Sequence, residues 1–350
     1  MPIARIPNIR LRGIVSALPE GREDLAGLAA RFGEDQARRL AAATGISARH
    51  LAADGQCTSD LAVPAAERLL DRLGWSRDSV DVLIFVTQTP DHPLPATACL
   101  AQNRLGLSRR CAAFDLSLGC SGYVYGLWTA ASLLNGLGGG RALLLAGDTT
   151  SRLLDAGDRS VAPLFGDAAT ASALEVEPGA PPLTFDLGTD GAGAPYLIVP
   201  GGGMRDPDGG RLFMDGTQVF AFTLREVPNA VARTLAAAGW TAGDVDRFVL
   251  HQANEMMIRR LGQKIGAGAD RLVVALAGHG NTSSASIPLA MTEALATELT
   301  ARPLRLLLSG FGVGWSWATA AMETAPLTVC GTVGIDAEGR IARETATPTR

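Results

Sequence analysis

Two stretches decide how this chain folds: LGWSRDSVDVLIFVTQ at residues 73–88 and AGWTAGDVDRFVLHQ at residues 238–252. Gly74, Trp75, Val80 and Asp81 recur as Gly239, Trp240, Val245 and Asp246, each pair 165 positions apart. A second block repeats behind the first, GGRALLLAG ending at Gly147 and RPLRLLLSG ending at Gly310, 163 positions apart. Self-similarity at a nearly constant offset marks a duplicated unit. Each half reads helix, buried strand, functional loop, helix, buried strand, and the two halves are expected to pack as pseudo-equivalent units.

The runs Val82 to Val86, Ala142 to Ala146, Phe248 to Leu250 and Leu304 to Leu308 are short, apolar and bounded by Gly, Pro and Asp. Such runs fit strands buried on both faces, and the Ala-rich segments between them have helical length, so the class is α/β. Three prolines and a glycine in EVEPGAPPL, from Glu175 to Leu183, break the pattern and place the join between halves. The expected units are residues 1–178, 179–326 and a C-terminal extension, 327–350. In that extension GIDAEGR reads as a hairpin turn followed by a loose tail without chemistry.

Composition sets the outer bounds. The 350 residues are 47% hydrophobic and 19% charged, as in a globular protein. Thirty-one basic and thirty-five acidic residues leave a net charge of -4 with no basic run, which argues against a nucleic-acid partner. Lys264 is the only lysine, and RRLGQKIG around it reads as the polar end of an amphipathic helix, so Schiff-base chemistry has no credible nucleophile. Cys57, Cys99, Cys111, Cys120 and Cys330 are odd in number, irregularly spaced and without C-x-x-C, which fits a reducing cytoplasm and neither a disulfide framework nor a zinc site. The N-terminal MPIARIPNIRLRG lacks the apolar region of a secretory leader. The uncharged stretch after Leu116, with Ser117, Cys120, Ser121 and Asn135 inside it, reads as a buried central helix and not a membrane span. His50, His92 and His279 are too scattered in sequence to suggest a metal site, and no metal, flavin or nicotinamide is expected.

Cys120 stands out in AFDLSLGCSGYVYGLWTAASLL. A strand-like segment runs into Gly119, and a helical stretch opens directly after the cysteine. At a helix N-terminus the macrodipole and unpaired N–H groups favour a thiolate. His251 ends the apolar run FVL in FVLHQAN, at the strand edge where α/β folds place ligands. Asn281 sits in the glycine-rich turn GHGNTSSAS. By the repeat, the His251 loop corresponds to the Gln88 loop and the Asn281 loop to the Cys120 loop, so pseudo-twofold packing would gather a Cys, His and Asn set.

These residues and their surrounding words resemble the β-ketoacyl-acyl-carrier-protein synthase III family of thiolase-fold condensing enzymes. The resemblance covers about residues 40 to 322: GCSGY at Cys120, HQAN from His251, GHGNTSSAS, GFGVGWSW from Gly310, FGDAAT from Phe165 and PGGG from Pro200, all in the family's order. It implies a duplicated five-layered αβαβα fold, usually a homodimer. It also implies that Cys120 takes an acyl group from a coenzyme A or acyl-carrier-protein thioester. His251 and Asn281 would then hold the carbonyl of a malonyl thioester as it loses carbon dioxide. The backbone N–H groups of Cys120 and Val313 would form the oxyanion hole, Val313 standing where the family usually has glycine. Phe311 would pack beside His251, and Asn254, Arg152 and Leu94 would contact substrate, Leu94 by crossing to the partner's acyl pocket. Arg39 stands where an adenine-stacking tryptophan is common and Ala43 where the family has an arginine, which argues against coenzyme A as the first donor and points to a specialised route. Met256 replaces a docking arginine, with Arg259 and Arg260 following, and Leu94, where phenylalanine is common, points to an unusual acyl chain. Transfer from Cys120 to a hydroxyl or amine, without decarboxylation, is the alternative reaction. A serine hydrolase around Ser121 lacks the G-x-S-x-G spacing.

Overall fold

The computed structural model describes residues 3–344. Its two large sheets use strands β1 (Ile3–Ile6), β2 (Ile9–Pro19), β3 (Val82–Val86), β4 (Ala112–Leu116), β5 (Arg141–Asp148), β6 (Ala168–Val176), β7 (Leu183–Thr189), β8 (Arg247–Leu250), β9 (Leu304–Gly312), β10 (Ser316–Thr324), β11 (Val329–Ile335) and β12 (Ile341–Glu344). One sheet runs β12-β11-β2-β6-β5-β3-β4 and the other β1-β7-β10-β9-β8. The same pairings recur in both: β3 lies parallel to β5 as β8 does to β9. β6 runs antiparallel between β5 and β2, as β10 does between β9 and β7. β4 is parallel to β3, and its counterpart is a single parallel bridge from Phe248 to Leu272.

Helices complete five layers. Gly122–Leu137 and Ser286–Ala294 lie between the sheets in a core shared with Ile84, Leu144, Leu306 and Leu308. Thr58–Leu73 covers the outer face of the larger sheet, and Gly216–Ala238 with Glu255–Lys264 covers the outer face of the smaller one. The thiolase-like αβαβα arrangement is therefore observed. All five residues of β3 are buried, as its unbroken VLIFV requires of a strand covered on both faces.

Every residue of the sequence repeat has a repeated task. Gly74 and Gly239 end the two outer helices at φ 64 and 73, a left-handed cap that costs glycine nothing. The next N–H reaches back to close each end, Trp75 to the Leu70 carbonyl at 3.0 Å and Trp240 to that of Leu235 at 2.9 Å. Val80 and Val245 are buried. Asp81 accepts from the Arg141 N–H at 3.0 Å and Asp246 from the Arg305 N–H at 2.8 Å, fixing where each following strand starts. The same arginines lie over Trp75 and Trp240.

The termini depart from the sequence partition. β1, from the N-terminal half, pairs with β7 in the C-terminal sheet. β11, from the expected C-terminal extension, lies parallel to β2 in the N-terminal sheet, buried at all seven positions. The hairpin turn is present, with the Gly339 N–H donating to Asp336 at 3.1 Å and β12 pairing back on β11. The stretch directly after that turn, expected to be loose, forms β12 over Ile341–Glu344. Residues 345–350 of that segment lie outside the described residues. Because Ile335 is fully buried in the outer core, Ile335→Ala should lower unfolding stability by about 2 to 5 kcal/mol in urea titrations. A change under about 0.5 kcal/mol would show that β11 adds little to that core.

Candidate active site

The carboxyl ends of β3, β4, β5, β8 and β9 converge on a cavity of about 600 Å³ lined by Cys120, His251, Asn281, Phe311, Val313 and Asn254 among others. Two structural halves thus contribute to one site. β4 and the helix Gly122–Leu137 bracket Cys120, which is buried. β9 passes directly against it: a Cβ added to Gly312 would stand 2.8 Å from the Cys120 Cβ and 3.0 Å from Sγ, so only glycine fits there. That close approach aims the Val313 N–H, together with the N–H of Cys120 itself, at the sulfur. Valine at 313 leaves this backbone donor in place.

His251 follows β8, its own N–H held by the Ser309 carbonyl at 2.8 Å. Phe311 meets the imidazole edge-on, 5.5 Å between centroids at 82°. His251 Nδ1 is 2.6 Å from the Ser286 hydroxyl. Asn281 is fixed by its backbone between Leu164 and Gly166, and its Oδ1 accepts from the Ser283 N–H at 2.9 Å. The amide Nδ2 is left as the donor end. Ser283 adopts φ 50, a left-handed conformation uncommon outside glycine. Ser284 turns the other way, donating its hydroxyl at 2.7 Å and its N–H at 3.2 Å to the buried Asp148 at the end of β5.

Cys120 and His251 are both held neutral. Burial, with a smaller contribution from Asp148, pushes the Cys120 thiol up to about 12, against the pull of Ser283 and the two backbone N–H groups. Burial likewise lowers His251 to about 3. Desolvation of the sulfur thus works against the thiolate that a helix N-terminus favours.

The other sequence candidates separate. Asn254 lines the cavity, but its Oδ1 caps the helix Glu255–Lys264 by accepting from the Met257 N–H at 2.8 Å. Arg152 stands outside the cavity lining and donates to the Ala53 carbonyl at 2.8 Å. Leu94 is 81% exposed, also away from the cavity within a single chain. Arg39 is exposed on the helix Glu34–Thr44, and Met256 is 58% exposed. Arg259 pairs with Glu255, and Arg260 reaches Gln263. His50 and His279, scattered in sequence, stack with centroids 5.7 Å apart, and His279 Nε2 lies 3.4 Å from Glu293. Among the described residues no group of three or more His, Cys, Asp or Glu is placed to hold a metal ion. No described helix is long and apolar enough to cross a membrane.

Asp148, Ser283 and Ser286 were not singled out from the sequence. The signals were present: the serines belong to the word containing Asn281, and Asp148 is one residue beyond the repeated block ending at Gly147.

Residues 114–191 match the family model of 3-oxoacyl-[acyl-carrier-protein] synthase III, and residues 235–324 match the model of its C-terminal part. A β-ketoacyl-[acyl-carrier-protein] synthase III of Sinorhizobium medicae is 39% identical over 286 residues, 80% of this chain and 88% of that protein. The chain belongs to the β-ketoacyl-[acyl-carrier-protein] synthase III family. A 3-oxoacyl-(acyl-carrier-protein) synthase of Burkholderia xenovorans superposes with a TM-score of 0.93 at 42% identity, covering 95% of this chain and 99% of that one. The priming β-ketosynthase of a polyketide biosynthetic pathway superposes at 0.82 with 28% identity over 93% of this chain and 99% of that chain. The chain is accordingly a thiolase-fold condensing enzyme.

The high thiol pKa has a direct consequence in the free enzyme. Thiolate forms only as pH approaches the pKa, so iodoacetamide labelling of the Cys120 peptide should climb about tenfold per pH unit from 7 to 9 with no plateau. Peptide mass spectrometry checks this; a plateau near neutral pH would show a stabilised thiolate instead.

Proposed function

We propose that Cys120 is the acyl acceptor and that His251 and Asn281 stabilise the enolate of a malonyl thioester. The Cys120 sulfur attacks the carbonyl of an acyl thioester, and the departing thiol of coenzyme A or acyl carrier protein takes up the proton that Cys120 gives away. The malonyl thioester then loses carbon dioxide, the electrons of the broken C–C bond passing into the enolate. Its carbon attacks the acyl-cysteine carbonyl, and the 3-oxoacyl thioester leaves as the Cys120 sulfur takes back the C–S electron pair and one proton from solvent. Splitting the reaction at an acyl-enzyme gives two easier steps. No metal or redox cofactor enters this scheme.

The observation that carries this reading is the arrangement of donors on both reacting groups. The N–H groups of Cys120 and Val313 converge beside the sulfur, where the tetrahedral oxyanion of acylation would form. Asn281, held by Ser283, offers its NH₂ end to the same cavity as the neutral His251. Preorganised donors in a desolvated site suit transient negative charge. Intact-protein mass spectrometry with acyl-coenzyme A and acyl-carrier-protein donors should give an acyl adduct on wild type and none on Cys120→Ala. Malonyl thioester should discharge it with release of carbon dioxide. Discharge solely by an alcohol or amine would replace condensation with acyl transfer.

The site is proposed to work within a homodimer. β4 is an edge strand, and among the described residues its outer edge has no strand partner. Asp115 on β4 accepts from the Thr97 and Ala98 N–H groups just after the Leu94 loop, which brings that exposed leucine to the same edge. Leu133 and Leu137 are exposed on the central helix. An unpaired edge beside exposed apolar side chains favours pairing with a second copy. Light scattering should give twice the 36.3 kDa chain mass; the chain mass itself at working concentration would overturn the dimer.

A further inference from the structure

The Ser286 hydroxyl has two partners among the described residues. Its oxygen is 2.6 Å from His251 Nδ1 and accepts the Gln252 N–H at 3.4 Å. All three residues are buried, Ser286 and His251 at 2% exposure each, so water does not substitute for a missing partner. A backbone N–H can only donate, and a hydroxyl carries a single proton. If His251 Nδ1 also donated, the Ser286 oxygen would accept twice and its proton would be buried without an acceptor. If Nδ1 accepts, every group is satisfied. Hydrogen-bond satisfaction therefore selects one arrangement, with Gln252 N–H donating to Ser286 and Ser286 donating to His251 Nδ1.

From this geometry we infer that Ser286 is a positioning residue that holds His251 as the Nε2–H tautomer, so the imidazole faces the cavity as a hydrogen-bond donor and not as a base. The inference deepens the proposed condensation and rests on it for its kinetic consequence, whereas the tautomer is a property of the protein alone. A neutral imidazole carries its proton on one nitrogen, and the hydrogen bond at the other nitrogen decides which. Burial that keeps His251 uncharged is consistent with this. Nothing among the described residues pairs with Nε2, which leaves its N–H for substrate. The neighbouring Ser283 N–H does the same for Asn281 by occupying its Oδ1. One short serine run thus presents both side chains to the malonyl carbonyl by their N–H ends. Two donors would lower the energy of a developing enolate oxygen; an Nδ1–H tautomer would present a lone pair to it and repel it.

The chain has four histidines, so ring-nitrogen NMR of histidine-labelled protein can resolve His251, with assignment from His251→Asn. Wild type should show His251 as the Nε2–H tautomer, unprotonated between pH 5.5 and 8. In Ser286→Ala that pattern should be lost or mixed. Condensation with malonyl thioester should fall by roughly 10- to 100-fold, short of the loss of an oxyanion donor itself, while Cys120 acylation stays within about twofold. Ser286→Thr, which retains a hydroxyl, should keep the wild-type pattern. An Nδ1–H tautomer in wild type, or an unchanged tautomer and condensation rate in a folded Ser286→Ala, overturns the inference. Should wild type show no condensation with any donor, the proposed function fails instead, and the NMR result still decides the tautomer. Should Ser286→Ala fail to fold, the wild-type spectrum decides it.

Discussion

A carboxylate buried without a cation has to be surrounded by donors, and Asp148 is met in that way from both halves of the molecule. It accepts from the Thr87 hydroxyl at 3.2 Å and the Gln88 N–H at 2.7 Å on the N-terminal side. From the C-terminal side it receives the Ser284 hydroxyl at 2.7 Å and the Ser284 N–H at 3.2 Å. Burial raises its pKa and these donors oppose the rise. Losing any of them would leave a buried polar group unmet, at about 1 to 3 kcal/mol each. Asp148 therefore clamps the serine run against the N-terminal sheet. From that clamp Ser283 and Ser286, on either side of Ser284, reach Asn281 and His251.

The charge state of the site follows from the same dry environment. Cys120 is held as a thiol and His251 as a neutral ring. Neither residue depends on a permanent ion pair, which a buried site would form only against a large desolvation cost. The fixed components are dipoles: two backbone N–H groups near the sulfur, an amide and an imidazole. Such fixed dipoles suit charge that appears only during reaction, and Cys120 and His251 are themselves uncharged at rest.

Duplication supplies the frame for this chemistry without dictating it. β3 and β8 occupy equivalent places in their sheets, yet one leads to Gln88 and the other to His251. β4 leads to Cys120, and its counterpart, reduced to a bridge at Leu272, leads to Asn281. β5 ends on Asp148, and β9 continues past Gly310 to Phe311. Equivalent strand ends face one another across the central helices, so two copies of one scaffold provide different groups to a single cavity. Gly312 is where that convergence is tightest, since any side chain there would occupy the space of the sulfur.

The repeat, the α/β class and the gathering of Cys120, His251 and Asn281 were legible in the sequence, because hydrophobic period and repeated words are written in adjacent residues. The family resemblance was legible for the same reason, in short contiguous words. The exchange of terminal strands was not: β1 and β11 each join the sheet of the opposite half, and strand pairing depends on register and exposed edges that no local pattern records. The desolvation that opposes a Cys120 thiolate was not legible either, since a helix N-terminus can be seen in sequence while burial comes from residues far along the chain. Sequence by itself determined the duplicated α/β fold, the family and which residues to look for in the cavity. Tertiary structure alone decided their hydrogen-bond polarity, because the partners of His251, Asn281 and Asp148 are chosen by distance and burial and not by spacing along the chain.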